Sequence, residues 1–229
     1  MSESSAVIPH HIGIILDGNR RWATQRGLPG VEGHRVGFNT LQTVADYALE
    51  RGVKYLSVYA FSTENWTRSN EEVLFLMAFL RKQLKKEIAA LHKKGVRFLW
   101  LGRAEKLDKK LVQELHDAEQ LTRNNKKGTF CLCFNYGGQA EIADAAAKAV
   151  ERGEVTEQTI AENLYGGSDI PAIDLLIRTS GEQRISNFML WRAAYSELFF
   201  TDVFWPDFSK DDLDEALAHY ASRQRRFGS

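Results

Sequence analysis

Short apolar runs alternate along the chain with longer segments in which apolar residues recur at helical spacing. Six of these runs are rich in β-branched and aromatic residues, which predicts strands. They span residues 11–16, 53–61, 96–101, 129–134, 173–177 and about 198–203. Because long helical segments separate the runs, we expect a largely parallel sheet with helices on both faces. No linker interrupts the pattern, so residues 1–229 are predicted to form a single α/β domain.

Two helical segments in the first half of the chain differ in their apolar pattern. The segment that ends near Gly52 has one apolar stripe, which is typical of a helix that covers a sheet. The next helix is predicted to begin after Ser69, because Ser69 and Glu72 have the spacing of a capping box. Residues 73–80 of that helix are apolar on every side. Such a segment contacts two apolar environments, which are either neighbouring protein surfaces, the commoner case, or an apolar ligand channel.

Candidate chemistry is concentrated where the first predicted strand ends, in the sequence DGNRRWA of residues 17–23. Ligands of a parallel sheet bind beyond the carboxyl ends of its strands. Asp17 offers one carboxylate to a divalent metal, and Gly18 lets backbone approach a ligand closely. Arg20 and Arg21 can donate charge-assisted hydrogen bonds to phosphate oxygens. The junction therefore predicts a phosphate site, although a polar loop with a capping Asp would contain similar residues.

Four further groups of polar residues lie at or after predicted strand ends. Residues 61–68, FSTENWTR, suit a binding site and a structural loop equally well. Residues 135–138, NYGG, indicate a tight strand-to-helix turn. Residues 178–186, RTSGEQRIS, place two arginines beside hydroxyls and a glycine, which suits a diphosphate. Glu197, which is surrounded by aromatic residues in the segment 191–200, is either a structurally paired acid or a metal ligand.

Composition narrows the classes of partner. Thirty basic and thirty acidic residues give a formal charge of zero, so no net charge draws the chain toward nucleic acid or an anionic membrane. The N-terminus lacks a cationic and apolar leader pattern, and no apolar run is long enough to span a membrane. We therefore expect a cytoplasmic protein. Cys131 and Cys133 alternate on a predicted strand and are expected to be buried thiols.

In their order and spacing, these motifs resemble those of the cis-prenyltransferases, the family of undecaprenyl diphosphate synthase. The resemblance runs from His11 to residues 223–228 and so covers nearly the whole chain. The motifs that carry it are DGN with RW at 17–22, GH at 33–34, YAFSTENW at 59–66, NYGG at 135–138, RTSGE at 178–182 and WPD at 205–207. It implies the cis-prenyltransferase fold, with a six-stranded sheet and an apolar tunnel.

The resemblance implies an enzyme that condenses isopentenyl diphosphate with an allylic diphosphate such as farnesyl diphosphate. The product would be a polyprenyl diphosphate, the precursor of the lipid carrier for cell-wall synthesis. Mg²⁺ is implied as the cofactor, with Asp17 and Glu197 as its ligands. A homodimer is also implied, in which the segment from about His219 onward reaches the neighbouring active site. We expect transient membrane contact for product release, without a transmembrane segment or a nucleic-acid partner.

Matching positions give the expected roles of individual residues. Asp17 and Asn65 are the expected catalytic residues. A neutral amide is a poor base, so Ser62, His34 and the departing diphosphate stay open as alternatives to Asn65 for proton removal. Gly18 to Arg21 are expected to bind the allylic diphosphate, and Arg178, Arg184 and Ser186 the isopentenyl diphosphate. The expected substrate-binding residues are Gly18, Asn19, Arg20, Arg21, Trp22, His34, Ser62, Thr63, Glu64, Trp66, Arg68, Arg178, Arg184, Ile185 and Ser186.

The resemblance also favours the channel interpretation of the apolar helix segment. Its candidate wall residues are Phe75, Leu76, Phe79 and Leu80. Burial of each five-carbon unit would contribute roughly 3–4 kcal/mol, at about 0.8 kcal/mol per CH₂. The chain departs from typical bacterial long-chain members at two positions, with Arg20 in place of a glycine and Gly30 in place of an arginine. These departures leave the choice of allylic starter open.

Overall fold

The computed structural model describes residues 7–223 of the chain. Within them, six strands form one sheet in the order β3-β4-β2-β1-β5-β6, and every neighbouring pair is parallel. The strands are β1 (His11–Ile15), β2 (Tyr55–Ser62), β3 (Val96–Leu101), β4 (Gly128–Tyr136), β5 (Leu175–Arg178) and β6 (Glu197–Phe200). The six predicted strands and the parallel sheet are confirmed.

The last strand differs most from its predicted bounds of 198–203, because β6 ends before Thr201. The Thr201 carbonyl accepts a hydrogen bond from the Gly181 N–H at 2.9 Å. The Val203 carbonyl accepts one from the Ser180 N–H at 2.8 Å. After β6 the chain therefore holds the loop that follows β5, and it does not extend the sheet.

Helices connect the strands, as the alternating pattern predicts. The α-helices of the described residues are α1 (Asn19–Gln25), α2 (Gly30–Glu50), α3 (Asn70–Lys93), α4 (Lys109–Thr122), α5 (Gly138–Glu151), α6 (Glu157–Asn163) and α7 (Lys210–Ser222). Short 3₁₀ helices span Thr63–Thr67, Gly167–Asp169 and Trp205–Asp207. Between residues 7 and 223, no helix has both the length and the apolar character needed to cross a membrane.

Apolar residues cover both faces of the sheet, as its uninterrupted apolar strands predict. Every residue of β1 is buried. Ile12 and Ile14 belong to the larger of two apolar clusters, which includes residues of α2, α3, α4 and α7. Ile15 belongs to the smaller cluster, together with Ile173 and Phe188. Because side chains alternate along a strand, the central strand contributes to both clusters. Cys131 and Cys133 are buried free thiols, as expected.

Helix α3 begins after Ser69, as predicted, but its capping box is incomplete. The Ser69 hydroxyl accepts a hydrogen bond from the Glu72 N–H at 3.3 Å, which caps the helix. The Glu72 carboxylate does not return to Ser69, because it accepts a hydrogen bond from Arg68 at 2.8 Å. The predicted capping box is therefore only half formed. Leu74 is 69% exposed, so the apolar segment of α3 is not covered on every side.

Helices α1 and α2 pack against each other through two glycines. A Cβ atom at Gly33 would overlap the backbone carbonyl of Asn19, and one at Gly37 would overlap the Asn19 side-chain oxygen. Because neither glycine has a Cβ, α2 lies directly against the start of α1. This contact supports the segment that follows β1, where the sequence predicts a phosphate site.

We predict that Gly33→Ala destabilises the fold, because the new methyl group would overlap backbone that cannot move aside. Overpacking of this kind costs about 1–3 kcal/mol, and about 2–4 °C in Tm per kcal/mol for a chain of this size. Gly30→Ala on the same helix is the matched control, because the nearest heavy atom to its Cβ would be Arg20 Cγ at 3.6 Å. Thermal unfolding of both variants measures the difference. Equal Tm values would contradict the role of Gly33.

Candidate active site

A cavity of about 1050 Å³ lies at the carboxyl ends of three parallel strands. Asp17 follows β1, Ser62 ends β2 and Arg178 ends β5, and all three residues line it. The expected site residues in its lining are Asp17, Gly18, Asn19, Arg20, Arg21, His34, Ser62, Glu64, Asn65, Arg68, Arg178 and Ser186. The apolar part of the lining includes Phe38, Leu41, Leu76, Phe79, Leu80, Leu132 and Phe134. The cavity thus combines charged groups with apolar surface.

An ion pair between Asp17 and Arg178 organises the polar lining. Arg178 Nη2 lies 2.9 Å from Asp17 Oδ2, and only 5% of the Arg178 side chain is exposed. Ile15 of β1 is the register partner of Arg178 in β5, which brings the residues after β1 to the end of β5. The Asp17 N–H also donates to Thr179 Oγ1 at 3.0 Å. The pairing of the two strands therefore positions the ion pair.

The environment of Asp17 favours its ionised form. Burial raises the pKa of Asp17, but the hydrogen bond and the charge of Arg178 outweigh burial and hold that pKa below its usual value. The Gly18 N–H, which donates to Asp17 Oδ1 at 2.7 Å, and the charge of Arg21 act in the same direction. About 30% of the Asp17 side chain is exposed. A charged and accessible carboxylate of this kind can bind a divalent cation.

Arg178 lacks one acceptor. Its Nη1 donates to the Arg184 carbonyl and to Ser186 Oγ, both at 2.6 Å. Its Nε is buried and has no hydrogen-bond partner among residues 7–223. A buried donor without an acceptor is costly, especially on a charged group. An oxyanion bound beside Arg178 would supply the missing acceptor.

Arg21 joins the first polar group to the segment after β5. Its Nη2 donates to Ser180 Oγ at 2.5 Å and lies 3.4 Å from Asp17 Oδ2. Its Nη1 donates to the Ser180 carbonyl at 3.2 Å and lies 3.3 Å from Glu182 Oε1. Residues 159 positions apart in the sequence thus meet at the cavity. The first and third polar groups of the sequence form one charged surface.

Asn65 uses its side-chain oxygen within the protein. The Ser62 N–H donates to Asn65 Oδ1 at 3.1 Å, at the start of the 3₁₀ helix that follows β2. Glu64 Oε2 accepts a hydrogen bond from Thr63 Oγ1 at 3.2 Å, and Glu64 Oε1 accepts one from Asn187 Nδ2 at 2.9 Å. The acceptor atom of Asn65 is therefore engaged, which weighs against Asn65 as a proton acceptor.

A second charged group is built around the Glu72 carboxylate. It accepts from Arg68 Nη1 at 2.8 Å, and it lies 3.4 Å from Arg20 Nη1 and 3.6 Å from His34 Nε2. All three basic residues line the cavity. Burial, and next the charge of Arg68, lower the pKa of His34 below its usual value, whereas Glu72 raises it by less. His34 is therefore neutral near pH 7.

The two expected binding tryptophans lie outside the cavity lining. Trp22 Nε1 donates to Asp207 Oδ1 at 2.6 Å, and only 8% of the residue is exposed. Trp66 Nε1 donates to Asn135 Oδ1 at 2.7 Å, and its ring packs edge-on against Phe61 with centroids 5.2 Å apart. Each indole N–H is satisfied by a polar group from a distant part of the chain. The two side chains hold the surrounding segments together.

Four other expected residues do not line the cavity either. The Arg184 side chain is 60% exposed and pairs with Glu182, while its carbonyl accepts from Arg178. Ile185 packs against the smaller apolar cluster. Thr63 contacts the Glu64 carboxylate. Glu197 lies 3.9 Å from Arg223 Nε at the amino end of β6, whereas Asp17 lies beyond the carboxyl end of β1. Of the segment from about His219 onward, which is expected to reach a neighbouring site, residues 224–229 are outside the described residues.

The available donors fit magnesium only together with a substrate. In residues 7–223 no group of three or more His, Cys, Asp or Glu side chains is arranged to hold a metal ion. Of the two expected ligands, Asp17 lines the cavity and Glu197 does not. Mg²⁺ commonly keeps several waters and binds one or two carboxylates plus phosphate oxygens. Asp17 meets that requirement if a diphosphate completes the ligand set.

Asn187 lines the cavity although the sequence reading gave it no role. Its φ of 64° is in the left-handed region, which asparagine tolerates better than most residues. A Cβ at Gly137 would lie 2.9 Å from Asn187 Nδ2, and one at Gly138 would lie 2.9 Å from the Asn187 carbonyl oxygen. The glycines of the NYGG motif are therefore needed for this close approach, and not only for a tight turn. The position of Asn187 directly after Ser186 was the available signal.

We predict that Glu72→Gln lowers the pKa of His34 further, because the substitution removes the one nearby carboxylate that favours the protonated ring. Glu71→Gln is the matched control, since Glu71 is an exposed neighbour on the same turn of α3. NMR titration of the histidine ring measures both values. In the wild type, the pKa of His34 is lower in the folded protein than in the unfolded chain, where it is about 6.5. As the pH falls below about 6.5, His34 therefore lowers the free energy of unfolding by an increasing amount. A pKa at or above 6.5, or an equal response to both variants, would contradict this account.

Known proteins are similar to this chain in sequence and in structure. The Prenyltransf family model, described as undecaprenyl diphosphate synthase, matches residues 15–228. A trans,polycis-polyprenyl diphosphate synthase specific for (2Z,6E)-farnesyl diphosphate, from Thermobifida fusca, is 52% identical over 97% of this chain and 81% of its own length. The decaprenyl diphosphate synthase of Mycobacterium tuberculosis is 50% identical over 97% of this chain and 77% of its own.

A solved structure shares the fold closely. Lavandulyl diphosphate synthase from Lavandula x intermedia, crystallised with dimethylallyl diphosphate, matches with a TM-score of 0.91 at 37% identity. The match covers 97% of this chain and 99% of that one. The match to the family model includes every residue that lines the cavity. The chain belongs to the cis-prenyltransferase family, the family of undecaprenyl diphosphate synthase.

Proposed function

We propose that this chain is a Mg²⁺-dependent prenyl diphosphate synthase that condenses isopentenyl diphosphate with an allylic diphosphate. The observation that carries the proposal is that a single cavity is lined both by charged groups, with the Asp17–Arg178 ion pair among them, and by apolar side chains. A diphosphate with a hydrocarbon tail needs both kinds of surface. The names of the relatives, which are synthases of polyprenyl diphosphates, support the same class of reaction.

The two diphosphates would bind on either side of the Asp17–Arg178 ion pair. Arg178, with Ser186 beside it, would hold the isopentenyl diphosphate through charge-assisted hydrogen bonds. Gly18, Asn19 and Arg21 would hold the allylic diphosphate. Asn19 would take part through its backbone N–H at the start of α1, because its side-chain Nδ2 donates to the Leu16 carbonyl at 3.1 Å. Two substrates at adjacent cationic groups would have their reacting carbons near each other.

Asp17 would hold Mg²⁺ on the allylic diphosphate. The bound ion would neutralise negative charge that develops as the diphosphate leaves. Burial raises the pKa of Asp17, but its polar neighbours, Arg178 first among them, lower that pKa overall. Asp17 is therefore charged, which suits it to this role. Arg21, 3.4 Å from Asp17, would add positive charge at the same place. The role of Glu197 as a second ligand stays a prediction.

In the reaction, the isopentenyl double bond attacks the allylic carbon, a new carbon–carbon bond forms and the allylic carbon–oxygen bond breaks. A proton must then leave the isopentenyl unit. Asn65 is a poor acceptor, because its Oδ1 already accepts from the Ser62 N–H. We propose that Asn65 positions the substrate and that the departing diphosphate takes the proton, with neutral His34 as the alternative acceptor.

The apolar part of the cavity would hold the growing chain. Leu76, Phe79 and Leu80 of α3 line it, whereas Phe75 does not. Phe79 packs edge-on against Phe38 of α2 with ring centroids 5.4 Å apart, and Phe38 lines the cavity as well. Binding sites for small ligands are usually about 300–1,000 Å³, so a cavity of about 1050 Å³ has room for a long tail. We propose that this space is the start of the product tunnel.

We also propose that the chain acts as a homodimer. Strand β6 is at one edge of the sheet, and Leu198 on it is 41% exposed. An edge strand presents unpaired backbone N–H and C=O groups that a second copy can cover, and Leu198 adds apolar surface there. The predicted contribution of the C-terminal segment to a neighbouring site is part of this proposal.

Purified protein should extend an allylic diphosphate with labelled isopentenyl diphosphate when Mg²⁺ is present, and should stop when the metal is chelated. Asp17→Ala should lower kcat at least about 100-fold, because charge on the departing diphosphate loses its metal ligand. Asp46→Ala is the matched control, since Asp46 forms a surface ion pair with Lys94. Incorporation of label into extractable lipid measures turnover. No labelled product with any starter would refute the proposed function, and near-normal turnover of Asp17→Ala would refute the role of that residue.

Product length provides a second test. We predict that Leu76→Trp shortens the product, because the larger ring would fill part of the apolar space that Leu76 lines. Leu74→Trp is the matched control on the same helix, since Leu74 is 69% exposed and does not line the cavity. Chromatography of the dephosphorylated lipids measures the chain length. An unchanged product from Leu76→Trp would show that this part of the cavity does not hold the tail.

A further inference from the structure

The loop that follows β5 contains several unfavourable backbone conformations. Ser186 (φ 46°), Asn187 (φ 64°) and Met189 (φ 41°) are non-glycine residues in the left-handed region. Asparagine tolerates this region, but serine and methionine seldom adopt it. Such conformations persist only where the surrounding contacts hold them, and they are common at functional sites. Asn187 makes three of the hydrogen bonds that hold this loop.

Asn187 makes three hydrogen bonds to other segments of the chain. Its side-chain Nδ2 donates to Glu64 Oε1 at 2.9 Å, and its Oδ1 accepts from the Gln139 N–H at 2.8 Å. Its backbone carbonyl accepts from the Gly138 N–H at 2.7 Å. The residue therefore connects the loop to the 3₁₀ helix after β2 and to the first turn of α5. Because both polar atoms of the carboxamide are used, its orientation is defined.

The residue next to Asn187 contacts the buried arginine directly. Ser186 Oγ accepts from Arg178 Nη1 at 2.6 Å, and Arg178 Nη2 donates to Asp17 Oδ2 at 2.9 Å. A continuous series of hydrogen bonds and one peptide bond thus leads from Glu64 through Asn187 to Arg178 and Asp17. All of these residues line the cavity.

The charge of Glu64 strengthens its contact with Asn187. Burial raises the pKa of Glu64, but the hydrogen bond from Asn187 and those from neighbouring groups outweigh burial and lower it overall. Glu64 is therefore a carboxylate at neutral pH. A hydrogen bond to a charged acceptor is stronger than one between neutral groups.

We propose that Asn187 is a positioning residue for diphosphate binding. Held between Glu64 and the start of α5, its carboxamide fixes the Ser186 hydroxyl and so orients the Arg178 guanidinium. This inference rests on the proposed function for the identity of the ligand, isopentenyl diphosphate. The affinity of the Arg178 site for diphosphate then depends on Asn187, a side chain that does not contact Arg178.

Asn187→Asp tests the proposal with little change in shape. The variant keeps an acceptor for the Gln139 N–H and tolerates the same backbone conformation, but it places a second carboxylate against Glu64. We expect the KM for isopentenyl diphosphate to rise about tenfold, the effect of losing one hydrogen bond to a charged group. The KM for the allylic diphosphate should change less than threefold. If Asn187 only stabilised the fold, a smaller fraction of the variant would be folded. Its apparent kcat would then fall, and its KM values for both substrates would equal those of the wild type.

Rescue by a second substitution makes the test sharper. In Glu64→Gln/Asn187→Asp, the amide introduced at position 64 can donate to the carboxylate introduced at position 187, so the hydrogen bond is restored with donor and acceptor exchanged. We expect the double variant to have a KM for isopentenyl diphosphate within about threefold of that of Glu64→Gln alone. Additive effects of the two substitutions would overturn the proposal. So would a KM for Asn187→Asp within twofold of the wild type.

Two further measurements separate this inference from the proposed function. Calorimetric titration with inorganic diphosphate and Mg²⁺ measures binding without turnover, and Asn187→Asp should bind about tenfold more weakly than the wild type. If the wild type binds diphosphate but extends no starter, the proposed function fails and this inference is decided by the binding data alone. If circular dichroism shows that Asn187→Asp does not fold, Asn187→Gly replaces it, since glycine accepts the left-handed backbone and lacks the carboxamide. Equal affinity of that variant and the wild type would overturn the proposal.

Discussion

The buried Arg178 guanidinium needs an acceptor for each of its donors, and the layout of the site follows from that need. Its two terminal nitrogens donate to Asp17, Ser186 and the Arg184 carbonyl, whereas its Nε has no acceptor among residues 7–223. A buried charge that is incompletely paired is costly to the folded protein. A diphosphate bound at this site would supply the missing acceptor. Parallel pairing of β1 with β5 sets the distance between Asp17 and Arg178, so the sheet itself determines the site.

Close approach of backbone segments holds the surrounding loops in place. Gly33 and Gly37 let α2 lie against Asn19, and Gly137 and Gly138 let the start of α5 lie against Asn187. In each case the glycines belong to a covering helix or its first turn, and the neighbouring segment carries residues of the site. Any larger side chain at these positions would displace a segment that the cavity needs. Packing next to the site therefore explains why these four positions are glycine.

Several features were accessible from the sequence because they depend on local pattern. The apolar runs gave the six strands, and the rule that ligands bind beyond the carboxyl ends of parallel strands brought Asp17 together with Arg178. Other features depend on which atoms meet after folding. Trp22 and Trp66 lie in motifs that predict substrate binding. In the structure, however, their indole N–H groups donate to Asp207 and Asn135, away from the cavity lining. The Ser69–Glu72 spacing predicted a capping box, yet three basic residues surround the Glu72 carboxylate.

We expect Asp17 and Arg178 to form a diphosphate site together. A crystal structure of the protein with Mg²⁺ and inorganic diphosphate is the sharpest test. We expect a diphosphate oxygen within hydrogen-bond distance of Arg178 Nε, and Mg²⁺ held by Asp17 together with diphosphate oxygens and waters. A diphosphate bound elsewhere in the cavity, with Arg178 Nε still lacking an acceptor and no metal on Asp17, would contradict it.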